Sequence, residues 1–101
     1  MIIRGGENIS PEEIEDVLRS HPKVEEAAVI GVPDVEWGQQ PLAVVVLKRG
    51  EGATPEEIMD HCRSKLAGFK RPRSVVFVDT LPRNPMGKLL RKKLREEYEQ
   101  A

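Results

Sequence analysis

Val24-Glu25-Glu26-Ala27-Ala28-Val29-Ile30-Gly31-Val32 and Gln40-Pro41-Leu42-Ala43-Val44-Val45-Val46-Leu47-Lys48 are two apolar runs separated by a turn that begins Pro33-Asp34. Short runs of β-branched residues bounded by turn formers read as strands, because branched side chains fit a pleated, half-buried surface. The second run is Val-rich and nearly continuously apolar, which is the pattern of a strand covered on both faces. Helices are the natural cover, and the flanking sequence supplies them.

Ser10-Pro11-Glu12-Glu13 has the parts of a capping box. Ser10 can accept from a backbone N–H, proline fits the first helical position, and Glu13 can reach back to the Ser10 N–H. Ile14, Val17 and Leu18 then form an apolar stripe that ends near Ser20, before Pro22. Thr54-Pro55-Glu56-Glu57 repeats the device, with Ile58, Cys62 and Leu66 on one face and Gly68 as the stop. Duplication and shared capping chemistry both account for that repeat. A third strand is expected at Ser74–Val78, and a last helix from Leu89 or Leu90, with Leu90, Leu94 and Tyr98 at four-residue spacing. Ahead of everything, Ile2-Ile3 and Asn8-Ile9 flank Gly5-Gly6 as a small hairpin would. The order is hairpin, α, β, β, α, β, α. This predicts one α+β domain over residues 1–101, a small hairpin followed by a roughly three-stranded sheet flanked by about three helices.

Composition sets the remaining bounds. With 101 residues and 39% apolar content, the chain can fill one modest core, and its few aromatics (Phe69, Phe77, Trp37, Tyr98) make that core aliphatic. A formal net charge of −1 argues against wholesale attraction to nucleic acid or a membrane surface. Cys62 is the only cysteine, so no intrachain disulfide forms and a reducing compartment is expected. No apolar run has the length of a signal peptide or a membrane span. These features predict a soluble, cytoplasmic domain with no disulfide.

Two segments carry the chemistry. In Leu81-Pro82-Arg83-Asn84-Pro85-Met86-Gly87-Lys88-Leu89-Leu90-Arg91, two prolines and a glycine hold a loop, and Lys88 sits near its junction with a helix. Most lysines are simply solvated. Here, however, Lys88, Arg91, Lys92 and Lys93 crowd the expected helix start, and Glu96, Glu97 and Glu99 its end. That order opposes the helix dipole, which favours the reverse by about 0.3–1 kcal/mol per well-placed charge. Positive charge beside free N–H groups suits a phosphate or carboxylate. The segment is not a P-loop, since the earlier glycine and the following Ser/Thr are missing. It lacks the aromatics of a nucleic-acid surface and the apolar bulk of a membrane helix. The second segment, Arg4-Gly5-Gly6-Glu7-Asn8-Ile9-Ser10-Pro11, pairs glycines that either supply positive φ in a turn or leave clearance against the backbone. His21 reads as a polar cap, Cys62 as core filler, and Trp37-Gly38 as part of the inter-strand turn. His61 and Cys62 are adjacent on a helix, diverge, and make no metal pair. No metal site and no Ser/His/Asp set is expected.

Taken together, the two segments resemble the C-terminal domain of the adenylate-forming (AMP-binding) enzymes. Arg4 to Glu15 is similar to the loop that opens that domain. Val76-Phe77-Val78-Asp79-Thr80-Leu81-Pro82 with Gly87-Lys88 and Arg91 is similar to its terminal lysine motif. Gly31-Val32-Pro33-Asp34, Gly38 and Phe69-Lys70-Arg71-Pro72 fall where the family has similar residues, so the likeness spans the chain. The Gly-Gly-Glu-Asn-Ile form resembles the acyl-CoA synthetases, of fatty-acid–CoA ligase type. The resemblance implies a two-step reaction on a carboxylic acid with ATP, Mg2+ and coenzyme A. Lys88 would be catalytic in forming the acyl-adenylate. Gly5, Gly6 and Glu7 would line the pantetheine channel after a domain rotation, and Lys70 and Arg71 would help with CoA phosphates. It further implies a partner, the enzyme's own N-terminal adenylation domain, without which the chain would neither hold these cofactors nor make thioester. Gln39 stands where a glutamate is common. A different class of function also fits the basic segment: a stand-alone module holding an anionic partner.

Overall fold

In the computed structural model, which describes residues 2–98, the two Val-rich runs form a long antiparallel hairpin, β3 (Val24–Asp34) with β4 (Gly38–Leu47). Its register places Ala28 opposite Val44 and Val29 opposite Ala43. β4 is central. Along its other edge it pairs in parallel with β5 (Ser74–Phe77), from Leu42 to Val45. Further towards its start it takes β1 (Ile2–Arg4) through Arg4 opposite Gly38. β1 pairs in turn with β2 (Glu7–Ile9). The expected hairpin is therefore not separate from the sheet but its outer part, in one mixed five-stranded sheet ordered β2-β1-β4-β3 with β5 on β4.

Alternation of side chains along β3 and β4 divides the interior into two cores. On one face Ala27, Val29, Ala43 and Val45 meet Ile14 and Leu18 of α1 (Pro11–Arg19) and Ile58 and Cys62 of α2 (Pro55–Arg63). On the other, Ala28, Ile30, Leu42, Val44 and Val46 meet Leu81 and Leu94, the latter from α3 (Arg91–Tyr98). Both faces are covered, as the unbroken apolar run requires.

Ser10 and Thr54 cap α1 and α2 by accepting from the N–H of Glu13 and Glu57, at 3.4 and 3.2 Å. Only half of the expected capping box forms. Glu13 does not reach back to Ser10; its carboxylate pairs with Lys70 at 3.2 Å, and the Ser10 hydroxyl donates to Glu12 instead, at 3.1 Å. Glu12 is held below the ordinary carboxylate range, first by its own backbone N–H and further by Ser10 and the charge of Arg91. α2 ends at Arg63, with Ser64 as its cap, short of Gly68, which opens a 3-10 turn (Gly68–Lys70). α3 starts at Arg91, not at Leu89 or Leu90, because Leu89 is bridged to Arg83 and the Leu90 N–H donates to the Pro82 carbonyl at 2.9 Å. Glu99 lies outside the described residues.

Where α1 ends against α2, His61 Nε2 lies 2.7 Å from the Ser20 hydroxyl and 3.0 Å from the Val17 carbonyl. His21 is not the helix cap, a place held by Ser20; it stands edge-on to His61, with ring centroids 5.0 Å apart. Burial, then the neighbouring His61 and Lys23, holds the His21 imidazole below its ordinary value of 6.5, Glu57 acting in the opposite sense. A lowered folded value means that the unfolded chain binds the proton more readily. The stability from neutral His21 is therefore complete above pH 6.5 and declines as pH falls below it. Urea midpoints at pH 7.5 and 5.5 should differ more in the unmodified chain than in His21→Gln; equal differences would contradict this assignment. Cys62 faces the core, away from His61, and burial pushes its thiol up to about 11. Among the described residues no helix is long and apolar enough to cross a membrane.

Candidate active-site loops

Lys88 lies in a closed loop between β5 and α3. Asn84 organises it: its side-chain oxygen accepts from the N–H groups of Met86 and Lys88, each at 2.9 Å, and its own N–H donates to the Lys88 carbonyl at 2.9 Å. Gly87, at φ +85°, takes the left-handed conformation that closes the loop, which a side chain would disfavour. Arg83 donates to the Gly87 carbonyl at 2.9 Å and, at 3.0 and 2.5 Å, to Glu26 at the start of β3. On the far side of the loop, Arg91 donates to Glu15 at 3.2 and 2.5 Å. Between these two anchors the Lys88 side chain is exposed, and its ammonium makes no hydrogen bond or ion pair among the described residues.

The basic cluster expected to offer an anion site is arranged differently. Lys88 precedes α3 and is not part of it. Arg91, the first residue of the helix, already faces Glu15, and Glu12 lies 3.6 Å away. Its placement against the dipole answers to this pairing, which removes the main support for a stand-alone anion-binding module.

Gly5 and Gly6 form the tight turn between β1 and β2, with φ of +57° and +86°, the pair of left-handed residues that a two-residue hairpin demands. Glu7 follows, exposed, as the first residue of β2. Sequence reasoning missed what lies against this turn. The Gly5 N–H donates to the Trp37 carbonyl at 2.8 Å, and the Trp37 ring covers Gly5 so closely that an added Cβ would sit 2.7 Å from ring atom Cε3. The Arg4 guanidinium stands over the same ring, 4.7 Å from its centroid. Gln39, which had no evident role in the sequence, accepts from the Ile3 N–H at 3.0 Å and helps join β1 to β4. Gly5→Ala should therefore cost about 1–2 kcal/mol for the left-handed backbone alone and displace the ring. Because Trp37 is the sole tryptophan, the substitution should shift its fluorescence along with the urea midpoint. Unchanged emission would contradict the contact.

Lys70 and Arg71 are placed apart from these loops in role. The Lys70 ammonium reaches both oxygens of Glu13 at 3.2 Å, tying the 3-10 turn to α1. Arg71 donates to the carbonyls of Leu66 and Arg63, at 3.0 and 2.8 Å, closing the segment after α2. No hydrogen bond links the Gly5-Gly6 turn to the Lys88 loop among the described residues. Glu15 was also missed, although a signal existed: α1 buries Pro11, Ile14 and Leu18, and position 15 lies on that same stripe.

Comparison with known proteins accords with this geometry. The model of the AMP-binding enzyme C-terminal domain matches residues 13–88 and ends at Lys88 itself. The 2-succinylbenzoate–CoA ligase of Bacillus cereus is 53% identical over 100 residues, covering 99% of this chain and 20% of that protein. The structure of a Mycobacterium tuberculosis fatty acyl CoA synthetase superimposes with a TM-score of 0.92 at 46% identity, over 99% of this chain and 20% of its own. The Bacillus subtilis o-succinylbenzoate CoA synthetase, in complex with its acyl-adenylate intermediate, gives 0.88 at 47% identity, over 93% of this chain and 19% of its own. The chain spans about a fifth of the length of these relatives. Three-quarters of its length matched by one model, and its fold shared almost end to end, the chain belongs to the AMP-binding enzyme C-terminal domain family.

Proposed function

We propose that this domain serves an AMP-forming acyl-CoA ligase, supplying Lys88 for acyl-adenylate formation and, after rotating, its Gly5-Gly6-Glu7 turn for thioester formation. The observation that carries the reading is the state of Lys88: an exposed ammonium without a partner among the described residues, on a loop anchored by Arg83 on one side and Arg91 on the other. A lysine so held is preorganised for a group outside its own domain.

In the first half-reaction a substrate carboxylate attacks the α-phosphate of ATP and displaces pyrophosphate, so two anions must meet and negative charge grows at phosphorus. One ammonium placed between the carboxylate and phosphate oxygens offsets that charge and fixes the approach. Mg2+ enters with ATP as part of the substrate, and no step here depends on residues of this chain holding it. In the second half-reaction the thiol of CoA displaces AMP from the acyl group. That step needs a narrow way for the pantetheine arm, and a Gly-Gly turn backed by the flat ring of Trp37 offers backbone without protruding side chains. Lys70 and Arg71 are the candidates for CoA phosphates. Each already holds a partner within the domain, Lys70 at the Glu13 carboxylate and Arg71 at two carbonyls. The partner is the adenylation domain that binds the acid and ATP.

The test is Lys88→Ala in the complete synthetase, with the two half-reactions assayed separately. Adenylation should fall steeply while thioester formation from supplied acyl-adenylate should hardly change; equal loss of both would overturn the reading.

A further inference from the structure

We infer that Glu15 is a positioning residue for Lys88, acting through Arg91 to fix the lysine loop against the sheet; this rests on the reading of Lys88 given above. Glu15 is a carboxylate on the buried stripe of α1, only 3% exposed. One oxygen accepts from the Val29 N–H of β3 at 2.8 Å, and the pair of oxygens receives the Arg91 guanidinium at 3.2 and 2.5 Å. A single side chain thereby joins α1, β3 and the first residue of α3. A carboxylate there needs such partners, since burying one unpaired is costly.

The arrangement matters because of where Arg91 lies. Only two residues separate it from Lys88, and these, Leu89 and Leu90, are fixed to Arg83 and Pro82. On the other side Arg83 is fixed to Glu26, also on β3. The lysine loop is therefore held to one strand from both ends, through an exposed ion pair at Arg83 and a buried one at Arg91. A planar, bidentate guanidinium pair sets direction as well as distance. Without it the buried anchor is lost, and a reacting group displaced by 1 Å loses on the order of 100-fold in rate.

The experiment is a double-mutant cycle in the complete synthetase. Glu15→Gln keeps the volume and an acceptor for Val29 but removes the charge that holds Arg91. Adenylation should fall about 10- to 100-fold, while thioester formation from supplied acyl-adenylate stays within about 2-fold. In a Lys88→Ala background the same substitution should reduce adenylation by no more than about 2-fold further, since groups acting through one another are not additive. Should Glu15→Gln fail to accumulate, Arg91→Lys is the second variant. It leaves Glu15 a cation but not the planar fork, and it should give the same split with a smaller fall. Equal losses in both half-reactions, or the full loss repeated in the Lys88→Ala background, would overturn the inference and leave Glu15 a purely structural residue. Undiminished adenylation in Glu15→Gln, with Lys88→Ala crippled, would overturn the inference alone. Undiminished adenylation in Lys88→Ala would overturn the proposed function and this inference with it.

Discussion

Lys88→Ala is expected to slow acyl-adenylate formation by about 100- to 1,000-fold, read as pyrophosphate exchange into ATP at saturating acid. The magnitude follows from the chemistry. Removing one well-placed donor to a charge that develops in the transition state costs about 2.7–4 kcal/mol in comparable sites. A single ammonium touching both anions falls within that range. Its loss should appear in the rate at saturation more than in the apparent affinity for ATP, because the contact strengthens as charge builds at phosphorus. Lys88→Arg should recover little: the longer, planar head keeps the charge but not the point-like reach of an ammonium. An unchanged exchange rate in Lys88→Ala would mean that the exposed lysine is only a solvated surface group.

The second large effect is on stability. Glu15→Ala should lower the unfolding free energy by about 3 kcal/mol, near the lower end of what breaking a buried pair costs, because the Arg91 side chain retains 30% exposure. Three losses combine: the Val29 N–H is left without its acceptor, Arg91 keeps only Glu12 at 3.6 Å among the described residues, and a space opens beneath α1. Against a typical total of about 5–15 kcal/mol this is a severe loss. Glu26→Ala provides the internal contrast. Its pair with Arg83 is exposed, with side chains 40% and 34% accessible, and should contribute less than about 1 kcal/mol. Urea midpoints of the two variants should rank in that order; a larger shift for Glu26→Ala would reverse the assignment of the principal anchor.

Much of the fold was legible because its signals are local. Ser10-Pro11 and Thr54-Pro55 start helices by chemistry that acts within one turn, and the alternation in β3 and β4 dictates coverage on both faces. What escaped is long-range. The single pairing of Arg4 with Gly38 merges the hairpin into the sheet, and neither residue advertises the other. The partner of Arg91 escaped for a related reason. The dipole argument treated Arg91 as a charge in search of an anion, whereas its anion lies 76 residues earlier in the chain. The candidate site divides along the same line. Lys88 and Gly5-Gly6 stood out as a lysine in a braced loop and glycines needing positive φ. Trp37 against Gly5 and the Glu15–Arg91 pair are contacts between distant segments, so no window of sequence contains them.

The most direct test bypasses the first half-reaction altogether. Purified Lys88→Ala synthetase, unable to support normal turnover from acid and ATP, should convert synthetic acyl-adenylate and CoA to thioester within about 2-fold of the unmodified rate. If the thioester instead forms as poorly from the adenylate as from the acid, Lys88 is not confined to the phosphate chemistry, and the account of this domain as the bearer of an adenylation lysine is wrong.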